Sequence, residues 1–243
     1  MLLAPLCAAA LIWLLGIHRK RLSSLLAVTG LLVSFFSSAA LFSHVLTGQL
    51  TLPVEVAVSW ISLPGITIPF GVLIDRLSLL MTLVVTGVGS AVFIYSMGYM
   101  AEDLAYSRYF GMLSFFAFSM LTIVLANNWV QLFIGWELVG FSSYLLIGHW
   151  YEKPAAAEAG KKAFMVNRVA DVGFLLGILA LWAISSPMAA ERTFHFQTLE
   201  HRLPLLMTAG LIPITALPLI GLLIFCGPVG KSAQFPLHVW LPD

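Results

Sequence analysis

Charge is what this sequence has least of. Only 9% of its 243 residues are charged, 60% are hydrophobic, and the mean hydropathy is +0.98. Water-facing domains carry about 25% charged residues, so this chain cannot cover a solvated surface. Its expected solvent is a lipid bilayer. The net charge of +1 says nothing about nucleic acid, but no basic run is long enough for a phosphate-tracking groove, so nucleic acid is not an expected partner. Cysteine is nearly missing: Cys7 and Cys226 both lie in apolar stretches and read as small buried hydrophobes, not as a disulfide or cluster ligands. Phosphate-loop, nucleophile-triad and metal-ligand spacings are all missing, so no metal or cofactor is expected in this chain. A cleavable leader would carry positive charge ahead of its apolar stretch. Here His18-Arg19-Lys20-Arg21 follow it, so residues 2–17 are expected to form a retained helix.

What the chain does have is apolar runs. A helical span needs roughly 20 such residues, and the stretches 2–17, 24–47, 75–99, 109–126, 129–149, 163–185 and 206–230 qualify, the first being short. They predict an all-α membrane protein of about seven transmembrane helices. Leu52–Ile74 alternates in part (Val54-Glu55-Val56-Ala57-Val58) and turns at Leu63-Pro64-Gly65, which predicts a short β-hairpin between helices two and three, outside the lipid. Asn127-Asn128 joins helices four and five, and a loop from Tyr151 to Lys162 joins five and six. Arg19, Lys20, Arg21, Arg108, Lys153, Lys161 and Lys162 fall on one side, and Arg76, Arg192 and Arg202 on the other. That asymmetry predicts an N-terminus outside and a seventh helix running inward.

Four charges sit at depth. Glu137 lies ten residues past the Asn pair, roughly 15 Å at the helical rise, and its sequence neighbours are apolar. A charge at mid-membrane costs about 2.5–3.5 kcal/mol. The plainer reading is a carboxyl kept protonated by burial, a task a Gln would do as well. Arg168 and Asp171 are three apart and share a helix face, with Asp171 about 13 Å beyond Lys162. Self-neutralisation that docks helix six competes evenly here with a functional role. Lys161 and Lys162 are placed to snorkel to the inner interface. Lys231 follows Gly227-Pro228-Val229-Gly230 and precedes Ser232-Ala233-Gln234-Phe235-Pro236. A helix entering near Leu217 puts it about 21 Å along the axis. The flanking prolines each remove a helical hydrogen bond, so the seventh helix is expected to be broken, as in the ion sites of transporters. The plainer reading is a lysine at the end of an ordinary helix.

The histidines say less. His18, His195 and His201 fall in loops and His44 and His149 near helix ends, without the mid-membrane pairing of a haem site. His238 lies just past the expected break, where imidazole suits transfer near neutral pH. Trp136 and Trp150 read as packing or interfacial residues.

The strings WVQLFIGWELVGFSSYLLIGHW (129–150), KKAFMVNRVADVG (161–173) and GKSAQFPLHVWLP (230–242) closely resemble the large antiporter-like subunit of respiratory complex I. GVLIDRLSLLM and YSMGYM, within residues 71–109, resemble its N-terminal module. The resemblance divides the chain into residues 1–61 (two helices and the start of the hairpin), 62–112 (the N-terminal module) and 128–243 (the first part of the proton-conducting module). It implies that Glu137 pairs electrostatically with Lys231, and that Lys231 lies on the proton path and changes protonation as the pair opens and closes. It further implies support from Asp171 with Arg168 beside it, and leaves His238 at a position where the family tolerates Gln. NADH, FMN, iron–sulfur clusters and quinone belong, by the same resemblance, to partner subunits. Neighbouring antiporter-like subunits and the lipid would surround this one in a bacterial inner membrane. The family's subunit has about twice as many helices, so the chain is expected to be the N-terminal part of a longer subunit or a truncated product that does not pump alone. Two other classes compete: the homologous subunit of a sodium/proton antiporter or membrane-bound hydrogenase, and a scaffold whose buried charges only dock neighbours.

Overall fold

A computed structural model describes residues 1–16, 19–64 and 66–243; His18 and the hairpin's Gly65 lie outside the described residues. The elements in order are α1 (Leu3–Leu11, continued by a π-helical stretch Ile12–Gly16), α2 (Lys20–Leu46), β1 (Val54–Leu63), β2 (Ile66–Ile74) and α3 (Arg76–Tyr99). Then come α4 (Tyr106–Val124), α5 (Trp129–Ile147), α6 (Pro154–Ile184), a 3₁₀ turn (Ala189–Glu191), α7 (Phe196–Thr208) and α8 (Ala216–Lys231). The chain is mostly helical, and the hairpin falls between α2 and α3.

Local chemistry sets several boundaries. Asp75 opens α3 with a capping box: the Ser78 amide donates to the Asp75 carboxylate at 2.6 Å, and the Ser78 hydroxyl accepts from the Asp75 amide at 2.7 Å. Pro154 starts α6 in its first turn, where a missing N–H costs nothing. Within the spans, hydroxyls are satisfied by their own helix: Thr82, Thr86 and Ser38 each donate at 2.7 Å to the carbonyl four residues back. A hydroxyl with no water near it needs such a partner.

Two units divide the chain. The first takes in α1–α4 and most of α5, around a core that includes Ile12, Leu31, Phe93 and Phe110. Within it, the Ser23 and Ser107 hydroxyls join α2 to α4 at 2.9 Å. The second holds most of the hairpin, the start of α5, and α6–α8 around Leu181, Leu199 and Ile220.

Among the described residues, five helices are long and apolar enough to cross a membrane: α2, α3, α4, α5 and α6. The first and seventh expected spans are shorter. The 16 residues of α8 reach about 24 Å at 1.5 Å per residue, against a hydrocarbon core of about 30 Å. The expected 206–230 stretch is divided, because Gly210 takes a positive φ of 71° and Pro213 follows. The helix ending there, α7, includes His201, which is therefore not in a loop. His195 caps α7, its Nδ1 accepting from the Thr198 amide at 3.4 Å. Nor is Tyr151–Lys162 a loop, since α6 begins at Pro154 and spans 31 residues. The exposed pair Lys161–Glu158, at 2.8 Å and three apart, lies on its first turns.

Candidate functional site

Small residues bring α6 and α8 together. A methyl added at Gly173 would meet the Cys226 side chain at 2.8 Å, and one at Gly177 would meet the Ile224 amide nitrogen at 2.7 Å. From the other side, a methyl added at Gly227 would meet the Phe174 ring at 2.9 Å, and one added at Gly230 would meet the Ala170 methyl. Glycine here is a matter of space, since real Cβ atoms do not approach so closely.

The contact positions the charges. Asp171, 3% exposed, follows Ala170, and Lys231 follows Gly230. Asp171 and Arg168 both act electrostatically on Lys231. The Arg168 guanidinium also lies 4.7 Å above the Phe164 ring one turn back, a cation–π contact that suits a desolvated guanidinium.

Lys231 occupies the last turn of α8, and the helix ends there by a cap, not by proline. The Gln234 amide donates to the Val229 carbonyl at 2.9 Å and the Ala233 amide to Gly230 at 3.2 Å, the Schellman pattern. Ala233 adopts φ 49° at the left-handed position usually given to glycine. The Trp240 indole also donates to the Gly230 carbonyl at 3.0 Å. Pro228 is accommodated inside α8, so the expected mid-helix break becomes a helix terminus at Lys231. Carbonyls at that end favour a cation.

Glu137 is half-buried on the part of α5 that belongs to the first unit. His238 is exposed in the turns beyond α8 and stacks on Phe235, ring centroids 5.8 Å apart. Lys162 pairs at 2.5 Å with the Asp243 carboxylate. Among the described residues, no cluster of three His, Cys, Asp or Glu could hold a metal ion.

Sequence reading passed over one polar joint. The buried Gln131 amide imitates a strand partner for Gly71, donating to its carbonyl at 2.7 Å and accepting from its amide at 3.0 Å. Asn128 caps the Gln131 amide at 2.9 Å and donates to the Pro69 carbonyl at 2.7 Å. These bonds tie the start of α5 to the hairpin. The Asn-Asn pair ahead of an apolar run was the signal.

Residues 126–243 match a family described as NADH:quinone oxidoreductase/Mrp antiporter, TM, and residues 60–110 match one described as NADH-Ubiquinone oxidoreductase (complex I), chain 5 N-terminus. NAD(P)H-quinone oxidoreductase chain 5 of Synechocystis sp. is 50% identical over 187 residues, 76% of this chain and 26% of the relative. The chloroplastic subunit 5 of Zygnema circumcarinatum is 42% identical over 91% of this chain and 30% of its own length. The chain thus spans about a quarter to a third of these relatives. Among solved structures, the Mrp complex from Dietzia sp. matches with a TM-score of 0.68 at 26% identity, over 98% of this chain and 25% of that one. The archaeal membrane-bound sulfane sulfur reductase shares the fold, with a TM-score of 0.76 at 20% identity over 99% of this chain and 45% of that one.

Proposed function

We propose, from these matches, that this chain is a member of the antiporter-like chain 5 family of the NADH–quinone oxidoreductases and a proton-translocating membrane subunit of such a complex. The observation that carries the reading is the grouping of Lys231, Asp171 and Arg168 at the close crossing of α6 and α8. A lysine amine takes up or gives up a proton according to the charges near it. A carboxylate moving toward it favours ammonium, and withdrawal favours release. Glu137 is the carboxylate we assign to that switch, Asp171 and Arg168 set the resting field at Lys231, and His238 is a subsidiary relay.

NADH or NADPH, FMN, iron–sulfur clusters and quinone then serve the partner subunits, and this chain transfers no electrons. It is a multi-pass membrane protein, and we assign it seven passes with α1 and α8 as the short ones. We place its N-terminus outside in a bacterial cell membrane, although relatives also occur in chloroplasts. A second reading, a subunit of a sodium/proton antiporter, is favoured by the Mrp match over nearly the whole chain.

Purification of the tagged full-length subunit with its partners separates the two. Co-purification of nicotinamide-driven quinone reductase activity, with proton uptake into proteoliposomes, is the expected result. Sodium/proton exchange in a preparation without quinone reduction would overturn it in favour of the antiporter.

A further inference from the structure

A second buried titratable group lies in the first unit. His149 follows the last turn of α5, two residues past Ile147, where the membrane span closes. It is only 5% exposed, and its Nε2 lies 3.5 Å from the Asp103 carboxylate in the α3–α4 connection. Arg108 of α4 holds the segment by donating to the His149 carbonyl at 2.7 Å. The Tyr109 ring stands edge-on to the imidazole at 5.5 Å, its hydroxyl 3.2 Å from Ser96. Asp103 is itself fixed, accepting from the Ala105 amide at 2.6 Å. One shell out, Lys20 of α2 donates to the Ala101 carbonyl at 3.1 Å. Asp103, Arg108 and Tyr109 thus face His149 from the α3–α4 connection and α4, with Lys20 of α2 one shell out.

An imidazole walled off from water, facing a carboxylate at the end of a transmembrane helix, is a proton acceptor with a counter-ion already in place. We propose that His149 and Asp103 form a proton-binding site at the aqueous edge of the first unit, just past the end of the helix that carries Glu137. In the step, hydronium gives its proton to the imidazole and leaves as water. No other bond breaks, and Asp103 stays ionised beside the imidazolium. The α5 C-terminus adds partial negative charge in support of that cation. Burial lowers the His149 pKa from its ordinary 6.5, Asp103 offsets part of this and Arg108 adds to the lowering. Use of this proton in transport rests on the proposed function; the site's existence does not.

The test uses the assembled complex in proteoliposomes, with pumping normalised to quinone reduction from pH 5 to 8. His149→Gln is expected to remove an inflection in the profile. Asp103→Asn should move that inflection to lower pH and Arg108→Gln to higher pH, each by about one unit. Melting of the same complexes gives a readout independent of pumping. A lowered histidine pKa means the unfolded chain binds the extra proton first, so stability falls as pH drops below 6.5. Asp103→Asn should steepen that fall, and His149→Gln should flatten it. If His149→Gln does not assemble, the opposite displacements by the two charge variants decide. Profiles and melting curves that overlay wild type in all three variants would overturn the site. Retained pumping in Glu137→Gln alongside shifted His149 profiles would remove the transport switch and leave the site standing.

Discussion

Lys231→Ala is expected to leave the complex assembled and to slow proton transfer through this subunit by roughly a hundredfold, the lower range for a positioned proton-transfer group, so that the complex loses this subunit's share of pumping. Assembly should survive for local reasons. Position 231 is the last residue of α8 and only half-buried. Alanine is the best helix former, and the cap that ends the helix is made by the Ala233 and Gln234 amides, not by the lysine side chain. The loss should therefore fall on proton transfer, with quinone reduction still measurable by dye reduction. A scaffold whose charges only dock neighbours predicts the reverse: subunits missing from the purified complex, and normal pumping in whatever assembles. Blue-native electrophoresis and proteoliposome acidification on one preparation distinguish these outcomes.

Gly230→Ala should disturb the same site through packing. Its new methyl would collide with the Ala170 methyl, next to Asp171 on one helix and Lys231 on the other. Overpacking of this kind costs about 1–3 kcal/mol, seen as a lower melting temperature and weaker coupling of pumping to quinone reduction. The second half of the prediction is compensation. Ala170→Gly removes the opposing methyl, so the double variant should recover most of what Gly230→Ala loses, although glycine in a helix itself costs about 1 kcal/mol. Additive losses in that cycle would show that the two positions do not meet.

The long apolar runs and their order could be read directly, because in lipid only a closed helix satisfies its own backbone. The start of α8 within a residue of Leu217 was equally visible. Other boundaries were hidden by charge. Glu158, Lys161 and Lys162 resemble a loop, yet at helical spacing Lys161 and Glu158 pair on the surface of α6. α7 escaped notice because it carries Glu200, His201 and Arg202 within a short stretch. The end of α8 fell within a residue of the expected 230, but what ends it was hidden for a different reason. Its cap uses Ala233 where glycine would have announced the left-handed turn, and Trp240 reaches back ten residues to the Gly230 carbonyl. Proline was the conspicuous signal, and it does not end the helix.

The candidate charges were legible because lipid makes any ionisable residue conspicuous. Their environment was not. That Gly230 and Ala170 set the approach of α8 to α6, and so the field at Lys231, depends on a crossing between residues sixty positions apart. His149 looked like one more histidine near a helix end until Asp103 and Arg108 were found around it.

The central claim is that protons cross this subunit by way of Glu137 and Lys231. The most direct measurement is the proton-to-electron ratio of the assembled complex carrying Glu137→Gln, beside Lys231→Ala, in proteoliposomes with quinone reduction recorded at the same time. Both variants should reduce quinone, and each should lose the share of pumping owed to this subunit. A wild-type ratio in both would contradict the claim.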